Sequence, residues 1–272
     1  LKLAADAKIG LTHVGYSEIN MATFQARDWR VFTKQPKDDV SLSWQEDQIR
    51  RRQFICDQGI IAHADKLIAG KSVLDVGMVG HHLSCQEDTE DLGFWRHARI
   101  RQLSRECWGI DVVEEEIEKL KSWGFDNLYC CDAESDIYLG RQFEVIYLGD
   151  VIEHVGSPLA LLRFCLRHLT DDGLILATTP NPFCFQYIAE TLLQHGLPVT
   201  NAEHTCWISP TNALEIGNRL GLSLEGIGLQ MPGWEKTVKR VFTAPFRVFL
   251  PPVYLSRHYL YIFKKNRLAL EK

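Results

Sequence analysis

Val73-Leu-Asp-Val-Gly-Met-Val-Gly-His-His82 is the stretch whose reading decides the fold. It is a short apolar run that ends in an acid and two glycines, as a buried parallel strand ends in a loop that must approach a ligand closely. Glycine turns of this kind follow strands in many α/β proteins, and this one lacks the full G-x-G-x-x-G spacing of a dinucleotide site. The acids downstream give it weight. Asp111, Asp132 and Asp150 each stand at or just beyond the end of a strand-like run.

Outward from that loop, the strand-like runs are Ser72–Val76, Cys107–Asp111, Leu128–Cys131, Phe143–Leu148 and Leu174–Thr178. Between them lie helical stretches at about 94–105, at 113–123 with a stop at Gly124, and at Pro158–His168, where Ser157 is placed to cap and Pro158 sits in the first turn. Strands alternating with helices predict βαβ units and a parallel sheet covered on both faces. In such sheets ligands bind beyond the carboxyl ends of the strands. Upstream, residues 1–40 read as an irregular arm. Ser43 and Glu46 have capping-box spacing, and the run from there to Ala69 predicts one long helix closing at Gly70. Downstream, Ser209-Pro210 opens a helix to Leu220, Gly221 ends it, Leu222–Leu229 reads as a strand and His258–Phe263 as the last strand.

The segment Met231–Ser256 is long for a plain loop. Trp234, Val238, Val241 and Phe242 follow helical spacing, with Lys236, Lys239 and Arg240 on the other face. That pattern suits a helix packed on the domain with a solvated basic face, a substrate lid, or a peripheral membrane contact through 231–256. The organisation expected is therefore an arm and lead-in helix over 1–70, a core over 71–230, and a basic insertion with the final strand over 231–272.

Composition narrows the class. At 272 residues one core with appendages is expected. The balance of 30 Lys+Arg against 35 Asp+Glu provides no general field for nucleic acid. Eight cysteines without a C-x-x-C pair argue against a zinc ribbon or thioredoxin-like motif and read as reduced thiols of a cytoplasmic protein. No run approaches the length of a membrane span, and no signal-peptide pattern is visible.

The rim acids suit a nucleoside-bearing ligand. Asp111 stands where a carboxylate can accept both hydroxyls of a ribose, Asp132 where one can accept from an adenine amino group, and the Gly77–Gly80 loop where backbone N–H groups can meet a carboxylate or phosphate. Each acid taken singly also reads as a helix cap. The doublet His81-His82 reads either as a contact to a ligand carboxylate or as a solvated loop.

From Val73 to Leu229 the sequence resembles the class I S-adenosylmethionine-dependent methyltransferases, in the broad group that includes ubiquinone-biosynthesis O-methyltransferases. The pieces that carry the resemblance are Val-Leu-Asp-Val-Gly (73–77), Gly-Ile-Asp (109–111), Cys-Asp-Ala-Glu (131–134), Phe-Glu-Val-Ile-Tyr-Leu-Gly-Asp-Val-Ile-Glu-His (143–154), the run from Leu169 to Pro182 and Glu-His-Thr-Cys-Trp-Ile-Ser-Pro (203–210). It implies a Rossmann-like, doubly wound, seven-stranded mixed sheet whose last strand is antiparallel, with S-adenosylmethionine as cofactor and S-adenosylhomocysteine as product. By the same resemblance Asp75, Gly77, Met78 and Gly80 surround the methionine part, Asp111 and Val112 hold the ribose, Asp132 and Ala133 flank the adenine, and Gly149-Asp150 faces the transferable methyl. The family's loop usually reads D-x-G-x-G-x-G. Here Val79 and His81 stand at the second and third glycine positions, so the loop must take a different path, and a non-catalytic scaffold stays open as an alternative.

Methyl transfer asks chiefly for alignment of an acceptor with the sulfonium methyl. An oxygen acceptor also needs its proton removed, by a base or with a metal. His154 and His204 are the candidate bases, each with an alternative reading as a structural histidine. Asp150, Glu153 and His154 are spaced to face one cavity, with His204 entering from a later loop. Two carboxylates and two imidazoles make a site for magnesium, manganese or zinc. The arrangement resembles the E-x-x-E-H…H metal site of small-RNA 3′-end 2′-O-methyltransferases, with Asp150 in place of the first glutamate. Phe183 and Trp207 flank the expected acceptor pocket or belong to the core. The expected reaction is O-methylation of a sugar, phenolic or lipid-linked metabolite, with N-methylation as the alternative; the acidic balance disfavours RNA.

Overall fold

A computed structural model describes residues 39–80, 95–194, 201–230 and 249–266. In chain order the elements are α1 (Asp39–Arg52), β1 (Gln53–Ile55), α2 (Ile60–Ile68), β2 (Ser72–Val76), α3 (Arg96–Leu103), β3 (Glu106–Asp111), α4 (Glu114–Ser122), β4 (Leu128–Cys130), β5 (Phe143–Gly149), α5 (Pro158–His168), β6 (Leu169–Pro180), α6 (Phe185–Gln194), α7 (Pro210–Leu220), β7 (Leu222–Leu229), α8 (Pro252–Leu255) and β8 (His258–Lys265). They form one sheet in the order β1-β7-β8-β6-β5-β2-β3-β4. β8 runs antiparallel to both β6 and β7, and the other pairings are parallel. The α/β class and the antiparallel last strand stand as expected, with eight strands rather than seven.

The extra strand comes from the region read as one long helix. Between α1 and α2 the backbone of Gln53–Ile55 pairs with Ile227–Leu229, and Gly59, at φ +91°, turns the chain into α2. Two glycines on β7 make the room. A Cβ at Gly226 would lie 2.9 Å from the Phe54 ring, and one at Gly228 would lie 2.9 Å from Cys56 Sγ. β6 also begins earlier than its apolar run, because Leu169 already pairs with Phe143 ahead of a register shift. Its intervening Asp171 and Asp172 are exposed and break the apolar pattern. Residues 1–38, His81, His82 and 231–248, which carry the arm, the histidine doublet and most of the basic insertion, lie outside the described residues; the described end of the insertion contains α8.

Strand parity divides the core. Leu74, Ile146, Leu148 and Ile175 face one layer, packing with Leu161, Phe164 and Leu214 from the α5 and α7 side. Val73, Val145, Tyr147 and Leu176 face the other, packing with Ile60, Ala64, Ile68 and Ile100 from α2 and α3. Every residue of β2 is buried, as a central parallel strand covered on both faces requires. Among the described residues no helix is long and apolar enough to cross a membrane. The loops after β2, β3, β4, β5 and β6 therefore share one rim, joined by the start of β8, where His258 pairs with Pro180.

Candidate active site

The glycine loop starts at Gly77, whose φ of +72° and whose missing Cβ are both required, since a Cβ there would lie 2.5 Å from Val151 Cγ2. Its amides are already engaged. Gly77 N–H and Met78 N–H both donate to Ile110 O, at 2.9 and 3.3 Å, and Val79 N–H donates to Asp111 Oδ2 at 3.0 Å. The expectation that this loop presents its N–H groups to a ligand is thus corrected for residues 77–79, which are tied to β3 instead. Met78 and Val79 bury their side chains in a cluster with Trp95, Ile117, Leu120 and Leu128. That packing is how the chain accommodates a side chain where a glycine was expected. Gly80, at φ +62°, has nothing within 4 Å of a built Cβ. Asp75 lies one step back along the strand. It is buried, and Oδ2 stands 2.8 Å from His97 Nδ1.

The other acids stand on the rim in order. Asp111 Oδ1 accepts from the backbone N–H of Val112 at 2.7 Å and of Val113 at 3.3 Å, so it caps the approach to α4 while reaching back to the glycine loop. A carboxylate offers about four acceptor positions, so these three bonds leave capacity for a ligand hydroxyl. Val112 is exposed beside it. Asp132 Oδ1 accepts from Glu134 N–H at 2.8 Å in a local turn, and Ala133 is buried next to it. Glu134 in turn accepts from Gly156 and Ser157 N–H, pinning the loop that precedes α5. At the end of β5, Gly149 admits no side chain because a Cβ would meet the Tyr147 ring at 2.7 Å.

Asp150 adopts a φ of +53°, a left-handed conformation uncommon outside glycine. Thr178 of β6 holds it there. Asp150 N–H donates to Thr178 O at 3.2 Å and to Oγ1 at 3.0 Å, while Thr178 Oγ1–H donates to Asp150 Oδ1 at 2.9 Å. The carboxylate is thereby directed at β6. The potential metal-ligand atoms that do converge belong to Glu153, His154 and His204, all within 4.8 Å of one another, without Asp150.

That trio is assembled by the chain crossing of 152–155 with 204–206. Thr205 N–H and Oγ1–H both reach Glu153 O, at 2.9 and 3.0 Å, and Thr205 Oγ1 also bonds Val155 O at 2.7 Å. His204 Nε2 lies 4.0 Å from Glu153 Oε1, and the His154 and His204 rings meet edge to face at 4.8 Å. Glu153 is 1% exposed, and neither carboxylate oxygen has a hydrogen-bond partner. Burial, reinforced by the charge of Asp150, pushes its carboxyl up to about 8. A buried carboxylate with two unbonded oxygens beside two imidazoles is a set of ligand atoms that could hold a divalent transition-metal ion. Metal-free, the same carboxyl is a proton carrier near neutrality.

Trp207 packs edge-on to His204 at 5.8 Å and lies 6.5 Å from Tyr187. Tyr187 in turn lines an apolar cavity of about 260 Å³ with Pro182, Ile188, Thr191 and Leu192. Phe183 is half exposed. Sequence reasoning missed Tyr187, Trp95 and the roles of Thr178 and His97, because each acts through a partner distant in the chain.

The family model described as "Methyltransferase domain" matches residues 48–225, more than half of the chain. Among curated relatives, the ubiquinone biosynthesis O-methyltransferase of Neisseria meningitidis serogroup C (strain 053442) is 24% identical over 176 residues, 61% of this chain and 68% of that protein. The protein of the same description from Cereibacter sphaeroides (strain KD131 / KCTC 12085) is 25% identical over 162 residues, 56% of this chain and 60% of that protein. A SAM-dependent methyltransferase from Archaeoglobus fulgidus has the same fold, with a TM-score of 0.51, 17% identity, and coverage of 84% of this chain and 100% of its own.

Proposed function

This chain belongs to the methyltransferase domain family, and on that premise we propose which groups it brings together at the rim and which acceptor it serves. It is a class I S-adenosylmethionine-dependent methyltransferase. Its methyl acceptor, in this reading, is the hydroxyl of a small molecule, in keeping with the O-methyltransferase relatives. We assign Asp75, Gly77, Met78 and Gly80 to the methionine end of the cofactor, Asp111 and Val112 to the ribose, Asp132 and Ala133 to the adenine, and Gly149 to the floor below the methyl group. A cytoplasmic location fits the seven described cysteines, all of them free thiols.

S-adenosylmethionine, when bound, supplies a methyl group already electrophilic by virtue of its sulfonium. What remains for the protein is alignment and one proton. Bound there, S-adenosylmethionine would give its methyl group to the acceptor oxygen and leave as S-adenosylhomocysteine, and a base of the chain would take the hydroxyl proton. His154 and His204 are assigned as that base and its orienting partner. Asp150, bonded to Thr178, adds negative charge beside them. Glu153, His154 and His204 would hold a divalent cation, which would lower the acceptor's hydroxyl pKa on binding it. The observation that carries this reading is Glu153, buried with both oxygens lacking hydrogen bonds beside two imidazoles.

Calorimetric titration with S-adenosylhomocysteine tests the cofactor assignment, with micromolar binding expected and absence of binding overturning it. Chelated protein assayed with labelled methyl donor and a panel of hydroxylated acceptors, before and after adding back magnesium, manganese or zinc, tests the cation. Restoration by one ion is expected, and full activity without any ion would remove the cation from the mechanism.

A further inference from the structure

Two ring side chains at the start of α3 grip the glycine loop. Trp95 Nε1–H donates to Met78 O at 2.6 Å, and His97 Nδ1 bonds Asp75 Oδ2 at 2.8 Å. Both rings are buried and stand 5.0 Å apart, so they behave as one block, and Phe125 closes it edge-on to Trp95 at 4.9 Å. Arg96, between them, fixes the block to the scaffold. It donates to Asp65 on α2 at 2.5 Å and lies 4.8 Å over the Tyr147 ring on β5. There is no slack on the far side. A Cβ at Gly109 would be 2.8 Å from both His97 Cε1 and Met78 Cγ.

An apolar pair would fill this space without the cost of burying polar groups. Asp75 is 3% exposed and His97 is fully buried, with its Nε2 lacking a hydrogen-bond partner. Burial of that kind is costly unless the polar groups are hydrogen-bonded; the Asp75–His97 bond meets that condition at Nδ1 and leaves Nε2 unmet. The two grips fall on Asp75 and Met78, flanking Gly77. They act on the loop that carries residues where glycines would otherwise give the backbone its freedom. With Val79 in place of a glycine, the path of the loop is set from outside, by its bonds to β3 and by Trp95 and His97.

We propose that Trp95 and His97 are positioning residues of the cofactor loop, setting the backbone of Asp75–Val79 for the methionine end of S-adenosylmethionine. The proposal rests on the assignment of that loop to the cofactor. Trp95→Phe keeps an aromatic ring and removes the N–H; His97→Leu removes the bond to Asp75, and His97→Asn restores a donor near the Nδ1 position. Dissociation constants for S-adenosylhomocysteine are measured by calorimetry, and amide exchange of Val79, whose N–H is bonded to Asp111, is followed against that of Ile175 in the core.

Trp95→Phe and His97→Leu are expected to weaken S-adenosylhomocysteine binding about tenfold, the equivalent of one lost hydrogen bond. Exchange at Val79 should accelerate by a similar factor while Ile175 is unchanged, and His97→Asn should recover most of the affinity. In turnover, the KM for the cofactor rises while kcat and the KM for the acceptor hold. Unchanged affinity in Trp95→Phe and His97→Leu, or weaker affinity without faster Val79 exchange, overturns the proposal. If His97→Leu does not fold, Trp95→Phe carries the test, and unchanged affinity and Val79 exchange in it overturn the proposal. Failure of the wild-type protein to bind S-adenosylhomocysteine is a distinct result: it overturns the cofactor assignment and this proposal with it, whereas wild-type binding with unaffected variants overturns only the positioning role.

Discussion

The two ends of the sheet carry carboxylates of the same kind and treat them in opposite ways. Where the strands begin, Glu144 accepts from Ser72 N–H, Lys71 and Arg105, which hold its carboxyl down at about 2. Glu106 is gripped by both terminal nitrogens of Arg141 and by the Trp108 indole, and Asp171 and Asp172 face Lys265 and Lys264. Where the parallel strands end, Asp75 meets a histidine, Asp111 meets amides, Asp150 meets a hydroxyl and Glu153 has only His204 Nε2, 4.0 Å away. Among the described residues no lysine or arginine forms an ion pair with any of these four. One end is compensated for the sake of the fold. The other keeps acceptor capacity in reserve and, at Glu153, a carboxyl that titrates near neutrality, the condition in which a ligand or cation can supply the missing partner.

The sharpest way to break this contrast is Glu153→Gln, which keeps the shape and removes the acid. Methyl transfer is expected to fall on the order of a hundredfold or more, measured with labelled donor at saturating acceptor. Stability should move the other way. A carboxyl held at about 8 in the folded protein keeps its full contribution below its ordinary range and loses it as the pH rises toward 8. Chelated wild-type protein should therefore lose thermal stability between pH 5 and 8, and Glu153→Gln should flatten that slope. Full activity in the variant would show that the bare carboxylate serves nothing.

A second test uses a buried group on the compensated side. His168 ends α5, just ahead of β6, with Nδ1 on Phe164 O at 2.8 Å and Nε2 accepting from Leu139 N–H at 2.9 Å. Both nitrogens are used in the neutral ring, and burial lowers its pKa to about 4. The sign is that of a depressed group. The unfolded chain takes up the proton first, so stability is complete above about pH 6.5 and is lost as the pH falls through about 4, by at most about 3 kcal/mol. Urea unfolding at pH 7, 5.5 and 4 should show this loss in wild type, and His168→Gln should show a shallower one. Activity at pH 7.5 should hold in the variant, in contrast to Glu153→Gln.

Much of this division is local in origin and so was legible in the sequence. The strand ends at Asp75, Asp111 and Asp150 follow from apolar runs that stop at acids, and Ser157 and Ser209 cap their helices as the spacing implies. What escaped depends on pairings across the chain. β1 is a strand only because Gly226 and Gly228 on β7 leave room for Phe54 and Cys56, more than 170 residues away in the chain. Asp150 stands apart from the expected set of four ligands because Thr178, on the neighbouring strand, accepts its amide and turns its carboxylate aside. The amides of the glycine loop were expected to be open, but the loop's departure from all-glycine composition is resolved by packing against Trp95 and bonding to Ile110 and Asp111, none of which a local motif announces.

The smallest expected effect comes from Glu144→Gln, and it completes the comparison from the compensated end. The amide oxygen can still accept from Ser72 N–H, so the change isolates the charge shared with Lys71 and Arg105. Those partners are 49% and 63% exposed. Water and salt screen such pairs, so the loss in unfolding free energy should be about 1 kcal/mol or less, and 0.5 M salt should shrink it further. The pH dependence has a defined sign. A carboxyl held at about 2 contributes fully above its ordinary value near 4.5 and loses that contribution between 4.5 and 2, so wild type and variant should converge in urea midpoint as the pH falls through that window. S-adenosylhomocysteine affinity and turnover should be identical in the two proteins. A drop in turnover comparable to that of Glu153→Gln would mean that charge at the strand starts reaches the catalytic rim, and the separation between a stabilising end and a reactive end would no longer hold.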